Sequence, residues 1–190
     1  MEYLIIIIST VFINNIVLAK FLGICPFLGV SKNTSTAVGM GGAVIFVMTI
    51  STIMTYLVYH YILIPLDIAY LQTVTYILVI AFLVQVVEIV LKKVSPDLYQ
   101  ALGVYLPLIT TNCTILGVAI LVIQSEYNLL QSVTFAIGNS VGFTLAIAIF
   151  SSLREQLENA DIPEYMQGVP AALITASILS MAFMGFAGLV

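Results

Sequence analysis

The sequence predicts an all-α membrane protein with six transmembrane segments, arranged as an inverted 3+3 repeat with interrupted first and fourth helices. Three observations predict it. The chain is 62% hydrophobic and 7% charged, with a mean hydropathy of +1.18, whereas a soluble domain averages about 25% charged residues. Its apolar residues fall in long unbroken runs, unlike the short alternating strands of a membrane β-barrel. The frame Cys-x-x-Leu-Gly-Val occurs twice, at Cys25 in "FLGICPFLGV" and at Cys113 in "TTNCTILGV", once in each half of the 190 residues.

A spanning helix needs about 20 mostly apolar residues. The candidates are 3–24, 35–59, 68–91, 98–123, 128–152 and 170–189. Turn and charge signals separate them: Ser31-Lys32-Asn33, Pro65 with Asp67, Lys92-Lys93 through Pro96-Asp97, Glu126, and the polar run from Arg154 to Gly168. The opening "MEYLIIIISTVF" carries only Glu2 as an early charge, not the basic region of a secretory signal, and reads as the start of the first segment. Residues 1–95 and 96–190 are the two three-segment halves of one membrane domain.

The cations orient the segments. Lys32 falls in the first loop, Lys92 and Lys93 in the third and Arg154 in the fifth, while Lys20 lies within the first segment. The even loops and both termini have no Lys or Arg, so the positive-inside rule makes the odd loops cytoplasmic and both termini external. Five cations in all cannot form a nucleic-acid-binding face.

Three segments per half is an odd number, so the second half enters the bilayer from the opposite face. "AVG" at 37–39 and "AIG" at 136–138, opening the second segment of each half, echo the cysteine frame. Inverted repeats of this kind place functional sites near the midplane, on discontinuous helices. Gly23, Pro26 and Gly29 surround Cys25; Pro107 and Gly117 bracket Cys113. Proline inside a helix removes a hydrogen bond and clashes with the preceding turn. Backbone freed at such breaks needs polar partners, which Asn14, Asn15, Thr110, Thr111 and Asn112 can supply.

Two cysteines so placed have several readings. Buried cysteine often serves as a small hydrophobe, and a disulfide is conceivable but would do no evident chemistry. A metal site is the sharper expectation, because soft thiolates suit iron–sulfur clusters or zinc. A 2Fe–2S cluster takes four thiolates, and this chain has two cysteines and a single histidine, His60, near the far end of the second segment. The missing pair would then come from another chain, giving a cluster shared across a subunit interface.

"NNIVLAKFLGICPFLGVSK" at 14–32, "LPLITTNCTILGVA" at 106–119 and "SMAFMGFAGLV" at 180–190 resemble the A subunits of Rnf complexes, with Val84-Gln85 through Glu88 also fitting the pattern. Rnf complexes are membrane-bound, ion-translocating ferredoxin:NAD oxidoreductases. The similarity extends to the E subunit of the sodium-pumping NADH:quinone reductase and covers essentially the whole chain. The resemblance implies a multi-pass protein of a prokaryotic inner (cytoplasmic) membrane, paired with a homologous E subunit of opposite orientation and with other membrane and peripheral subunits. It implies that Cys25 and Cys113 contribute two ligands to a mid-membrane 2Fe–2S cluster, the partner giving the other two. Electrons would pass from cytoplasmic iron–sulfur and flavin subunits through this cluster, coupled to translocation of Na⁺ or H⁺. No nucleotide-binding motif is visible in this chain itself.

Asn112 and Thr114, beside a ligand, are candidates for the cluster environment. Glu88 is the one acidic residue within a segment and a candidate for the ion path, although an (i, i+4) pairing with Lys92 is its structural alternative. Gly39, Gly41, Gly42 and the Gly138-x-x-x-Gly142 spacing suit close helix packing, and 154–168 reads as a solvated loop. The rival function is a six-segment inverted-repeat secondary transporter or solute-binding membrane protein in which the cysteines are incidental. A structural scaffold is the third.

Overall fold

The computed structural model describes residues 2–94, 106–158 and 163–186, and every regular element among them is helical. Helix α1 (Glu2–Ile8) passes into a π-helical turn, Ser9–Ile13, and stops. The Thr10 hydroxyl donates back to the Ile6 and Ile7 carbonyls at 2.8 and 3.0 Å, a back-bond that bends helices. Residues 14–23 run irregularly before α2 (Ile24–Val30). Helix α3 (Thr34–Val58) continues through π-helical Tyr59–Leu63 to Leu66, where Asp67 takes a left-handed φ of 55°. There follow α4 (Gln72–Val94), α5 (Leu106–Thr110), α6 (Cys113–Gln124), α7 (Leu129–Glu158) and α8 (Val169–Met184).

Four helical stretches are long and apolar enough to cross a membrane: Thr34–Leu66, Gln72–Val90, Pro107–Gln124 and Leu129–Leu157. Tyr3–Ile13 and Val169–Met184 are apolar but shorter. The first falls short of the expected segment 3–24 because the helix breaks after Ile13. The expected start of the fourth segment at 98, the Pro96-Asp97 separator and the last residues of "SMAFMGFAGLV" lie outside the described residues. The expected loop from Arg154 begins instead as helix, since α7 runs on to Glu158.

Helices α3 and α7 form the central antiparallel pair. Thr34, opening α3, meets Glu155 near the end of α7, and Gly41 lies directly against Thr144. Met40, Val44 and Met48 of α3 and Phe143, Ile147 and Phe150 of α7 are fully buried in the shared core. Phe27 of α2 stacks on Phe150 with centroids 4.2 Å apart and planes 20° from parallel. Small residues let backbones approach closely: Gly138 faces Thr10, and Gly142 faces the backbone of Thr10 and Val11. Among the described residues Gly39 and Gly42 have no neighbour within 4 Å of a built Cβ, and it is Gly41 that makes the close approach of α3 to α7.

Candidate site at the two helix breaks

The first break is held open by three side chains. Asn15 is 1% exposed; its amide nitrogen donates to the carbonyls of Val11 (3.2 Å) and Gly142 (2.8 Å), while its Oδ1 accepts from the N–H of Val17 (3.1 Å). Buried Ser180 of α8 donates to the Leu18 carbonyl at 2.7 Å. Asn14 donates to Ser9 Oγ at 3.3 Å. Backbone groups that a continuous helix would have paired internally are thereby satisfied. Gly23 ends the break with φ +82° and caps α2, accepting at 3.2 Å from the Phe27 N–H. Pro26 sits in the first turn of α2, where its missing N–H costs little.

The second break is shorter. Thr111 folds back on Pro107, its hydroxyl donating to that carbonyl at 2.9 Å. Asn112 then caps α6 through Oδ1, which accepts at 3.0 Å from the Thr114 N–H. Asparagine is among the preferred N-cap residues because its side chain satisfies such an orphan donor. Cys113 is therefore the first residue of α6, as Cys25 lies in the first turn of α2.

The two breaks meet. The Gly23 N–H donates to Cys113 Sγ at 2.9 Å across 90 residues of sequence. A Cβ at Gly23 would overlap the Thr114 hydroxyl and stand 3.2 Å from both Asn112 Oδ1 and Phe143. The glycines of the repeated frame pack reciprocally: Gly29 faces Leu108, just before the second break, and Gly117 faces Leu22, at the end of the first. Both thiols are free and exposed. Beside them, Asn112 Nδ2 and Thr114 Oγ1 are buried with no hydrogen-bond partner among the described residues.

The cofactor expectation is corrected at this point. Cys25 and Cys113 are the chain's only cysteines, and among the described residues no group of three or more His, Cys, Asp or Glu side chains could hold a metal ion. The residues on either side of Cys113 in the chain bear a carboxamide and a hydroxyl, and His60 is engaged elsewhere, stacked on Tyr56 at 4.5 Å. Two ligands to a 2Fe–2S cluster from this chain are not supported.

Glu88 stands apart from this locus in its own helix, half-buried on α4 one turn before Lys92. A neighbouring clamp was not anticipated from the sequence. Arg154 donates to the Leu28 carbonyl at 2.7 Å and to Ser31 Oγ at 2.9 Å, and Glu155 accepts from the N–H (3.0 Å) and hydroxyl (2.9 Å) of Thr34. A cation thus meets the C-terminal end of α2 and an anion the N-terminal end of α3, matching both helix dipoles. The available signal was the adjacency of the two opposite charges at the end of a long apolar run.

A family model described as "Rnf-Nqr subunit, membrane protein" matches residues 3–190. The A subunit of the Na(+)-translocating ferredoxin:NAD(+) oxidoreductase complex of Acetobacterium woodii is 56% identical over 189 residues, covering 100% of this chain and 98% of that protein. The A subunit of the ion-translocating oxidoreductase complex is 54% identical in Aeromonas salmonicida and 54% in Pseudoalteromonas translucida, with the same coverage of both chains.

Proposed function

The chain belongs to the Rnf-Nqr family of membrane subunits, and from that premise we propose that it is the A-type subunit of an ion-translocating ferredoxin:NAD oxidoreductase complex. The observation that carries this reading is identity above one half over the full length of a relative so named. The chain acts as part of a multisubunit translocase in the prokaryotic cytoplasmic membrane. It has six segments, with α1, the break and α2 as the first and α5, the break and α6 as the fourth. Its halves, 1–95 and 96–190, are related by inversion. The antiparallel α3/α7 pair and the reciprocal glycine contacts support that symmetry.

The topology has support from neighbouring loops. Ser31 and Arg154, near the first and fifth loops, are bonded to one another, while His60 and the Glu126–Asn128 turn line a common cavity. These contacts set the first loop beside the fifth and the second beside the fourth, the grouping that opposite faces for odd and even loops require. The odd loops, with their Lys and Arg, are the cytoplasmic ones, and both termini are external.

The site residues are Cys25 and Cys113, whose thiols stay exposed at the meeting of the two breaks. We assign that face to contact with a homologous partner of opposite orientation, with Asn112 and Thr114 shaping the floor. Glu88 is the carboxylate available to an ion path, and Glu88→Gln with full ion transport would remove it from that role. The deciding experiment replaces Cys25 or Cys113 with Ser in the assembled complex. Retention of the chain in the complex with loss of ferredoxin:NAD electron transfer is the expected result; unchanged electron transfer with both replaced would return the cysteines to packing.

A further inference from the structure

Helix α2 carries Cys25 and has seven residues, fewer than a helix needs to be stable on its own. Its N-cap, Gly23, brings no side-chain bond, and the first break lies immediately before it. Helix α7 supplies the missing support. Pro26, Phe27 and Val30 are the buried face of α2, with Phe27 stacked on Phe150 at 4.2 Å and 20°. Cys25 and Gly29, four residues apart and so on one side of the helix, are exposed. One turn beyond Phe150, half-buried Arg154 donates to the Leu28 carbonyl (2.7 Å) and to Ser31 Oγ (2.9 Å). Leu28 lies in the last turn of α2, where carbonyls have no intrahelical partner.

The two thiols are therefore held in different ways. Cys113 Sγ accepts from the Gly23 N–H, and Asn112 caps the helix that Cys113 begins. The Cys25 thiol makes no hydrogen bond among the described residues. Its orientation follows from the body of α2. Phe27 against Phe150 fixes the rotation of that helix about its axis, and Arg154 fixes its displacement along the axis. We propose that Arg154 is a positioning residue of the cysteine site: it locks α2 to α7, and so holds the Cys25 thiol in one orientation without acting on Cys113. The consequence for electron transfer rests on the function proposed above, whereas the hold on Cys25 does not.

The test uses the full-length chain in lipid nanodiscs. A nitroxide is placed on Cys25 in a Cys113→Ser background and, separately, on Cys113 in a Cys25→Ser background. Electron paramagnetic resonance lineshapes then read how freely each label turns. Arg154→Met is expected to raise the mobile fraction at Cys25 roughly tenfold, the change in population that losing a charge-assisted bond allows. The Cys113 label should keep its lineshape. Arg154→Lys, which keeps the charge and can still bond the Leu28 carbonyl, should recover most of the ordered signal. Ser31→Ala, the gentler change because it deletes one of the two bonds, should give an intermediate one. Equal loosening of both labels, or an unchanged Cys25 lineshape in Arg154→Met, overturns the inference. Electron transfer in the assembled complex scores the proposed function separately, because label mobility does not depend on turnover. A mobile Cys25 with undiminished transfer would overturn the role assigned to that thiol and leave its hold by Arg154 standing.

Discussion

The amide of Gly23 and the sulfur of Cys113 lie 2.9 Å apart, a hydrogen bond that joins the end of one helix break to the end of the other. Two points distant in sequence thereby form one locus. The bond needs Gly23 in a left-handed conformation, with its Cα face pressed against Thr114.

Gly23→Ala should be severely destabilising. A left-handed L-residue costs about 1–2 kcal/mol, and the overlap with Thr114 adds overpacking of about 1–3 kcal/mol. Gly42→Ala, with no neighbour within 4 Å of the new Cβ, should be neutral or stabilising by about 0.5–1 kcal/mol. Thermal unfolding in detergent, read as Tm, checks both; equal effects would contradict the close approach.

Thr114→Val should leave stability unchanged or raise it. The hydroxyl is buried without a partner among the described residues, and removing an unsatisfied polar group while keeping the shape is neutral or favourable. A loss of Tm comparable with that of Asn112→Ala, which removes an N-cap worth about 1 kcal/mol, would show that the hydroxyl has a partner in the assembled protein.

Arg154→Met should loosen the junction between α2 and α3. Its guanidinium makes two bonds, to the Leu28 carbonyl and to Ser31, and hydrogen bonds involving charged groups contribute about 1.5–3 kcal/mol. Hydrogen exchange at the Ser31–Thr34 amides should accelerate in the variant, while the exchange of α8 stays as it was.

Ser180→Ala should cost about 1 kcal/mol, the usual contribution of one buried hydrogen bond, and Asn15→Ala distinctly more, because three bonds are lost. Proteolysis of the 14–23 stretch in detergent, faster in both variants, would place the damage in the break.

Much of this architecture was legible in the sequence, for specific reasons. Gly23 and Asn112 stand at the two breaks, each capping the helix that follows, whereas Pro26 and Pro107 lie in the first turns of α2 and α5, where proline is tolerated. The repeated cysteine frame announced two equivalent positions. The contact between Gly23 and Cys113 was not readable, since it depends on how α7 brings the two halves together. Ser180 was hidden for the same reason: serine in an apolar helix carries no mark of the carbonyl it will meet. The metal expectation followed from the cysteines and from family resemblance, and the donor set around them does not supply it. Arg154 and Glu155 looked like the edge of a loop because charge in a membrane protein usually marks water.

The bonds that hold the first break also impose an order on synthesis. Asn15 waits for the carbonyl of Gly142, 127 positions downstream, and Leu28 for Arg154, 126 positions downstream. A chain emerging from the ribosome N-terminus first presents residues 14–23 to the insertion machinery long before either partner exists. The nascent first half must therefore shelter a carboxamide short of one of its three bonds, and loose carbonyls, at the translocon or near lipid headgroups. Its bonding is completed only when α7 arrives with Gly142 and Arg154.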